Sequence, residues 1–127
     1  MSLRSPLARV RGLGSAKDGT AHWWAQRLTA LALIPLTVWF CISVIAMSGA
    51  DYATVASWAG SPLVGGLLIL LIGATFYHGA LGLQVVVEDY LHHEMAKLVL
   101  LLAIKAAALV LALTGILSVL ILLFSRA

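Results

Sequence analysis

Three long runs of apolar residues, separated by two short polar connections, set the pattern of the chain. The runs cover residues 29–48, 63–87 and 98–124. A helix needs roughly 20 residues to cross a hydrocarbon core of about 30 Å, so each run is long enough to span a membrane. The pattern therefore predicts an all-α integral membrane protein with three transmembrane helices, built as one membrane domain over residues 1–127 with a polar N-terminal segment at 1–28.

The overall composition leads to the same conclusion. Of the 127 residues, 62% are apolar and only 10% are charged, and the mean hydropathy is +1.06. A soluble domain of this length cannot bury so many apolar side chains away from water, so most of them must face lipid. Pro35 lies inside the first run, where a membrane helix tolerates proline and a kink is expected. The single cysteine, Cys41, excludes a disulfide within the chain.

Basic residues are unevenly distributed around the three runs. The chain has eight Lys and Arg against five Asp and Glu, and five of the basic residues fall within the first 27 positions. Lys97 follows the second run on the same side, whereas Arg126 is alone on the other, and Lys105 can extend its ammonium group from the third run to the interface. The positive-inside rule then predicts that the N-terminus and residues 88–97 are cytoplasmic and the C-terminus periplasmic. Because the basic residues lead into a membrane span, we expect no nucleic-acid partner.

Two short connections separate the runs. Residues 49–62 and 88–97 are too short to hold a domain, and the first is expected to be a surface loop without functional consequence. Trp23 and Trp24 precede the first run, and Trp58 lies in the first connection. These positions are typical of the aromatic belts at the two membrane interfaces, so we interpret the tryptophans as membrane anchors.

His78, near the middle of the second run, is the one histidine inside the three spans. An intramembrane histidine is costly and needs a reason. It could hydrogen-bond a neighbouring helix, relay protons, or bind a metal or a haem iron. A six-coordinate haem needs two axial ligands, so a second chain would have to supply the other one.

Helical spacing places several residues on the His78 face of the second span. Gly82, Val85 and Asp89 follow the histidine by 4, 7 and 11 residues and share its face. Gly82 lacks a side chain one turn from the imidazole, which would leave room for a flat macrocycle or for a close helix contact. The opposite face carries small residues at sevenfold spacing that suit close packing against another helix: Gly66, Gly73 and Ala80.

Asp89 and Tyr90 lie at the end of the second run, roughly 15 Å along the helix from His78. A phenol beside a carboxylate at this depth could donate a hydrogen bond to a quinone carbonyl and couple it to a proton source. An interfacial tyrosine next to a charged loop residue is the plainer interpretation. The spacing alone leaves both open.

Three short motifs occur in a fixed order: Arg27-Leu28-Thr29-Ala30, then His78-Gly79-Ala80-Leu81-Gly82, then Asp89-Tyr90. With His22 ahead of the first motif, three spans and a cytoplasmic N-terminus, the chain resembles the small D-type hydrophobic membrane anchor subunits of succinate dehydrogenase, complex II. The resemblance covers nearly the whole chain. The motifs are individually short, but their order and spacing together are fairly specific.

The resemblance implies a role for each motif. His78 would be an axial ligand of the iron of haem b, and Tyr90 would hydrogen-bond the carbonyl of ubiquinone with Asp89 supporting it. Arg27 would lie near the haem propionates or the quinone pocket, where its fork of donors suits a carboxylate. For His22 the resemblance allows either this neighbourhood or a solvated position at the interface.

The resemblance also implies partners and a location. The chain would pair with a second, C-type anchor subunit beneath an iron–sulfur subunit and a flavoprotein, in the bacterial cytoplasmic (inner) membrane or the mitochondrial inner membrane. It would serve succinate:quinone oxidoreductase, in the respiratory chain and citric acid cycle, without a succinate site of its own. A fumarate reductase anchor, a small proton-coupled transporter and a purely structural anchor are the alternatives. A transporter usually places an acid near mid-membrane, and none of the five acids lies there.

Overall fold

The computed structural model describes Leu7 and residues 19–125. Four helices form within this part of the chain: α1 (Gly19–Ala46), α2 (Tyr52–Ala59), α3 (Pro62–Tyr90) and α4 (Glu94–Phe124). Of these, α1, α3 and α4 are long and apolar enough to cross a membrane. The described residues contain no strand, so the predicted all-α class with three spanning helices is confirmed.

The helices extend beyond the predicted spans. α1 begins at Gly19 and continues through Pro35, whereas the sequence predicted its start at residue 29. α3 runs on to Tyr90 and α4 begins at Glu94, so the predicted connection 88–97 shrinks to residues 91–93. Hydropathy marks only the hydrocarbon-facing part of a helix, but backbone hydrogen bonding favours continuing the helix into the headgroup region. Several basic residues used in the topology prediction lie outside the described residues: Arg4, Arg9, Arg11, Lys17 and Arg126.

The first connection contains the short helix α2, which the sequence interpretation missed. Asp51 caps it, because its carboxylate accepts a hydrogen bond from the backbone N–H of Thr54 at 2.9 Å. Hydrogen bonding to the side chain and then to the backbone of Thr54 lowers the pKa of Asp51 below its ordinary value. The ring of Trp58 stacks on Trp39 of α1 with a centroid separation of 5.8 Å. This connection is therefore an ordered element that packs against a spanning helix.

α3 lies between α1 and α4. It packs against both of them, whereas the backbones of α1 and α4 do not approach each other within residues 19–125. The short connections make neighbouring spans antiparallel, so the start of α1, the end of α3 and the start of α4 share one end, here called the Tyr90 end. α2 lies at the other end, here called the Trp58 end. The three spans therefore form an open layer with α3 in the middle.

The best-packed region lies at the Trp58 end. Ala59, Leu68 and Val119 are buried there together, with partly buried aromatic side chains around them. Gly65 allows close packing of α3 on α4, because a Cβ at this position would lie 2.8 Å from Cδ1 of Leu123. The core therefore joins α2, α3 and α4, with Trp39 and Phe40 of α1 packed against it, at the end away from His78.

Within the described chain, Gly66 and Gly73 of the small-residue strip on α3 make no close helix contact. A Cβ at Gly66 or Gly73 would meet no atom within 4 Å. The close approaches fall instead on Gly65 and on Gly115 of α4, where a Cβ would lie 3.3 Å from the Ile72 side chain. The rotation of α3 against α4 decides which small residues make the close contact.

Most large apolar side chains of the spanning helices face outward. Only four hydrophobic residues of the described chain are buried, whereas Ile45, Ile121 and Leu31 are 74%, 67% and 65% exposed. Such an oily surface is unfavourable in water and favourable against lipid or against another apolar chain. The packing therefore agrees with a multi-pass membrane protein.

Candidate cofactor site around His78

His78 lies in the half of α3 nearer the Tyr90 end, and its side chain faces α1. Its ring atom Nδ1 is 2.9 Å from Oγ1 of Thr29, and its Nε2 is 3.4 Å from the side-chain nitrogen of Gln26. All three residues are partly buried. The mid-span histidine singled out in the sequence therefore sits in a polar cluster between two helices and does not point into lipid.

The Thr29 hydroxyl determines which way the hydrogen bonds run. Its Oγ1 is 2.7 Å from the carbonyl oxygen of Ala25 and 3.1 Å from that of Gln26. A threonine in a helix commonly donates its one hydroxyl proton to the carbonyl of the preceding turn. Oγ1 then accepts from the Nδ1–H of His78, which leaves Nε2 of the neutral imidazole as an acceptor. The longer contact from the Gln26 amide to Nε2 fits this assignment.

α1 presents a polar stripe to α3, formed by His22, Gln26 and Thr29 at spacings of four and three residues. Nε2 of His22 and Oε1 of Gln26 are buried and have no hydrogen-bond partner within the described chain. Leaving a buried polar atom unpaired costs about 1–3 kcal/mol, so these atoms indicate that a further polar group belongs at this interface. The sequence interpretation missed Gln26 and gave Thr29 no role of its own. The spacing of three polar residues in an apolar helix was the signal available.

Gly82 follows His78 by one turn and also faces α1. A Cβ at this position would lie 3.5 Å from the side-chain nitrogen of Gln26, which is an ordinary contact distance. Gly82 therefore lies beside the Gln26 amide, and the contact itself would also accommodate a Cβ. Whether the same gap admits a macrocycle stays a prediction.

Arg27 lies at the Tyr90 end but outside the His78 cluster. Its side chain is exposed, and the guanidinium carbon lies 4.3 Å from the centroid of the Trp23 ring. The rings of Trp23 and Trp24 contact each other edge to face at 5.0 Å, and both are about half exposed. This arrangement holds a cation among interfacial aromatic rings, in agreement with the anchor role predicted for the two tryptophans.

Asp89 and Tyr90 are the last two residues of α3 and are exposed, Tyr90 to 78%. No hydrogen bond or ion pair joins either of them to Arg27 or His78 in the described part of the chain. Helical rise separates Tyr90 from His78 by about 18 Å. The sequence-predicted residues therefore form two places, an inner polar cluster at His78 and an exposed pair at the end of the helix.

A separate groove of about 420 Å³ lies between α3 and α4, away from the His78 cluster. Its lining includes Tyr77, Gln84 and Lys105, together with small residues of both helices. Lys105 is exposed in this groove and forms no ion pair with a described residue. The described chain also holds no group of three or more His, Cys, Asp or Glu side chains able to bind a bare metal ion.

Comparison with known proteins decides the family. Residues 1–124 match the family model described as the succinate dehydrogenase/fumarate reductase transmembrane subunit. The chain belongs to this family. The match covers all four helices, and it confirms the resemblance drawn from the three sequence motifs.

Individual relatives of the same family match most of this chain. A succinate dehydrogenase hydrophobic membrane anchor subunit of Rickettsia bellii is 30% identical over 102 residues, which are 80% of this chain and 82% of the relative. The corresponding subunit of Paracoccus denitrificans is 28% identical over 79% of this chain and 78% of its own length. A succinate dehydrogenase membrane anchor subunit of Reclinomonas americana is 27% identical over 73% of this chain and 80% of its own length. Anchoring of succinate dehydrogenase in a membrane is therefore the role of this chain within the family.

Proposed function

We propose that this anchor subunit binds haem b through His78 together with a second anchor chain, and that its Tyr90 end takes part in ubiquinone reduction. The observation that carries the proposal is the His78 cluster, where α1 orients an intramembrane imidazole through Thr29 and Gln26. Oε1 of the same Gln26, and Nε2 of His22 one turn earlier on α1, are buried without a partner among the described residues. Succinate would be oxidised on another subunit. This chain would help to bind the quinone that receives the electrons.

The residues around His78 fit a haem ligand. A ligating histidine binds iron through one ring nitrogen and donates the N–H of the other to an oxygen acceptor. Thr29 supplies such an acceptor at 2.9 Å from Nδ1, so Nε2 is the nitrogen available to iron. A bound haem would supply one-electron redox chemistry. Because the described helices offer one histidine at this depth, a second chain would provide the other axial ligand.

The exposed residues of the Tyr90 end fit the quinone part of the proposal. The Tyr90 phenol can donate a hydrogen bond to a quinone carbonyl, and the Asp89 carboxylate can orient it or relay a proton. Arg27 places a positive charge at the same end, where negative charge develops on the quinone oxygen during reduction. Each quinone takes up two electrons and two protons, so proximity to water at the membrane surface supports this location.

The open layer of helices supports the proposed partners. α1 and α3 leave the His78 cluster next to outward-facing apolar side chains, which suits coverage by the spans of a C-type anchor subunit. The iron–sulfur subunit and the flavoprotein would lie at the Tyr90 end. The relatives named above are all subunits of succinate dehydrogenase, which favours that direction over fumarate reduction. The bacterial cytoplasmic membrane, or the mitochondrial inner membrane in a eukaryote, would be the location.

The test of the haem proposal is an absorption spectrum of the purified complex. Reduction with dithionite is expected to give a low-spin b-type spectrum, with one haem for each copy of this chain. A complex that contains all its subunits but no haem would contradict the proposal and would leave His78 as a residue that joins two helices.

Topology is a separate prediction, because the proposed electron donor must reach the Tyr90 end. Arg27 and Lys97 lie at this end, so a reporter inserted between His92 and His93 is expected to be cytoplasmic. A reporter fused after residue 127 is expected to be periplasmic. Alkaline phosphatase and green fluorescent protein fusions measure the two sides directly. The reverse pattern would place Tyr90 out of reach of a cytoplasmic iron–sulfur subunit.

A further inference from the structure

Thr29 makes the shortest contact to His78. Its Oγ1 lies 2.9 Å from Nδ1 across the α1–α3 interface, while the Gln26 amide lies 3.4 Å from Nε2. The Thr29 hydroxyl is itself held by the Ala25 carbonyl at 2.7 Å. The acceptor is thus fixed in place by the backbone of its own helix.

We infer that Thr29 is a positioning residue for His78, which accepts the Nδ1–H, fixes the tautomer and ring orientation, and keeps the Nε2 lone pair for the haem iron. The inference rests on the proposed function, since it assigns a role toward the haem. The Thr29 hydroxyl has one proton, which it donates in a hydrogen bond to the Ala25 carbonyl. Oγ1 can therefore only accept in the 2.9 Å contact, so the proton of the neutral imidazole must be on Nδ1.

Only one of the two contacts of the imidazole is compatible with iron binding. Nε2 has one lone pair, so it cannot accept from the Gln26 amide and bind iron at the same time. The Gln26 contact is also the longer of the two, at the weak end of the hydrogen-bond range. The Thr29 contact uses the other nitrogen and is compatible with ligation. Thr29 is therefore the residue of α1 that can hold the ring while iron is bound.

An acceptor at Nδ1–H increases the electron density of the imidazole, which favours oxidised over reduced iron. Removing it is therefore expected to raise the midpoint potential of the haem and to weaken haem retention. Loss of such an outer contact typically costs about 10–100-fold in metal affinity. If the oxidised haem loses tenfold in affinity and the reduced haem loses none, the midpoint potential rises by about 59 mV.

The experiment uses the whole membrane complex with Thr29→Val, which keeps the shape of the side chain and deletes the hydroxyl. Thr29→Ser keeps the hydroxyl and is expected to have the potential and haem content of the unchanged complex. Thr37→Val is the matched control, because it makes the same change on the same helix about 12 Å further along. Redox titration of the haem absorbance measures the potential, and haem content after dilution in detergent measures retention.

The outcomes separate this inference from the haem proposal. A raised potential or a faster loss of haem in Thr29→Val, with Thr29→Ser and Thr37→Val unchanged, supports the positioning role. If Thr29→Val does not assemble, Thr29→Ala is used in its place, with the same expected rise in potential or loss of haem. Loss of haem from the assembled Thr29→Ala complex, together with retention of haem in Thr29→Ser, also supports the role. An unchanged potential and retention in an assembled hydroxyl-free variant overturn the inference while the haem proposal stands. A haem spectrum that survives replacement of His78 overturns the haem proposal itself.

Discussion

Replacing His78 with leucine is expected to abolish the low-spin haem b spectrum of the complex while the chain stays in the membrane. Leucine offers no nitrogen to iron, and the described part of α3 has no other histidine that could substitute. The three spans are set by their apolar length, so insertion does not depend on one imidazole. A reduced-minus-oxidised spectrum of membranes, normalised to the amount of this chain on an immunoblot, measures the effect.

Two further variants separate ligation from packing. His92→Leu makes the same chemical change in the connection between α3 and α4, where the side chain is exposed, and should keep a normal spectrum. His78→Gln retains a polar group that can contact Thr29 and Gln26, so it should restore assembly if leucine impairs it. The glutamine variant should still lack haem. A normal spectrum in either His78 variant would reject the ligand assignment.

The positions of the spans were predictable because a membrane imposes a minimum apolar length on any helix that crosses it. Their ends were not, since α1 gains its first turns in a segment that contains Trp23, Trp24 and Arg27 and has no continuous apolar run. α2 was missed for a related reason. Its short sequence reads as a polar connection, and its stability depends on the Asp51 cap and on the contact of Trp58 with a distant helix.

Within the site, His78 was predictable because it is a lone histidine in an apolar span. Its partners were not, because periodicity assigns residues to a face of one helix but not to the face of a neighbour. Gln26 and Thr29 share a face with His22, yet only the packing of α1 on α3 shows that this face meets His78. The same limit explains why the Gly66 and Gly73 strip could not be matched to a particular helix, whereas the close contacts within the described chain fall on Gly65 and Gly115. The rotation of one helix against its neighbour depends on how their side chains fit together, which cannot be worked out from a single sequence.

The distribution of packing along the layer agrees with a site completed by another chain. The buried core lies at the Trp58 end, whereas the His78 half contains two buried polar atoms that find no partner among residues 19–125. A self-sufficient chain would gain stability by pairing those atoms or by replacing them with apolar groups. Retaining them is understandable if haem and the spans of a second anchor subunit cover this half in the complex.

Tyr90→Phe is expected to reduce succinate–quinone turnover sharply while succinate oxidation by an artificial dye is retained. The phenylalanine keeps the ring and removes only the hydroxyl, so packing at the end of α3 is unchanged. A donor aimed at the quinone carbonyl stabilises negative charge that develops on the oxygen during reduction. Losing one such donor in a dry, preorganised site costs about 10²–10³ in rate, and a wetter interfacial pocket loses less. The dye accepts electrons ahead of the quinone and reports on the intact remainder of the complex.

Tyr52→Phe is the matched control for this experiment. Tyr52 is 81% exposed, close to the 78% of Tyr90, but begins α2 at the opposite end of the layer. It should leave both activities unchanged, whereas Asp89→Asn should lower quinone turnover less than Tyr90→Phe if the carboxylate orients the phenol or relays protons. Full quinone activity in Tyr90→Phe would make Tyr90 an interfacial anchor. Parallel loss of dye and quinone activities together with the complex would show that Tyr90 serves assembly, and the quinone donor would then belong to a partner chain.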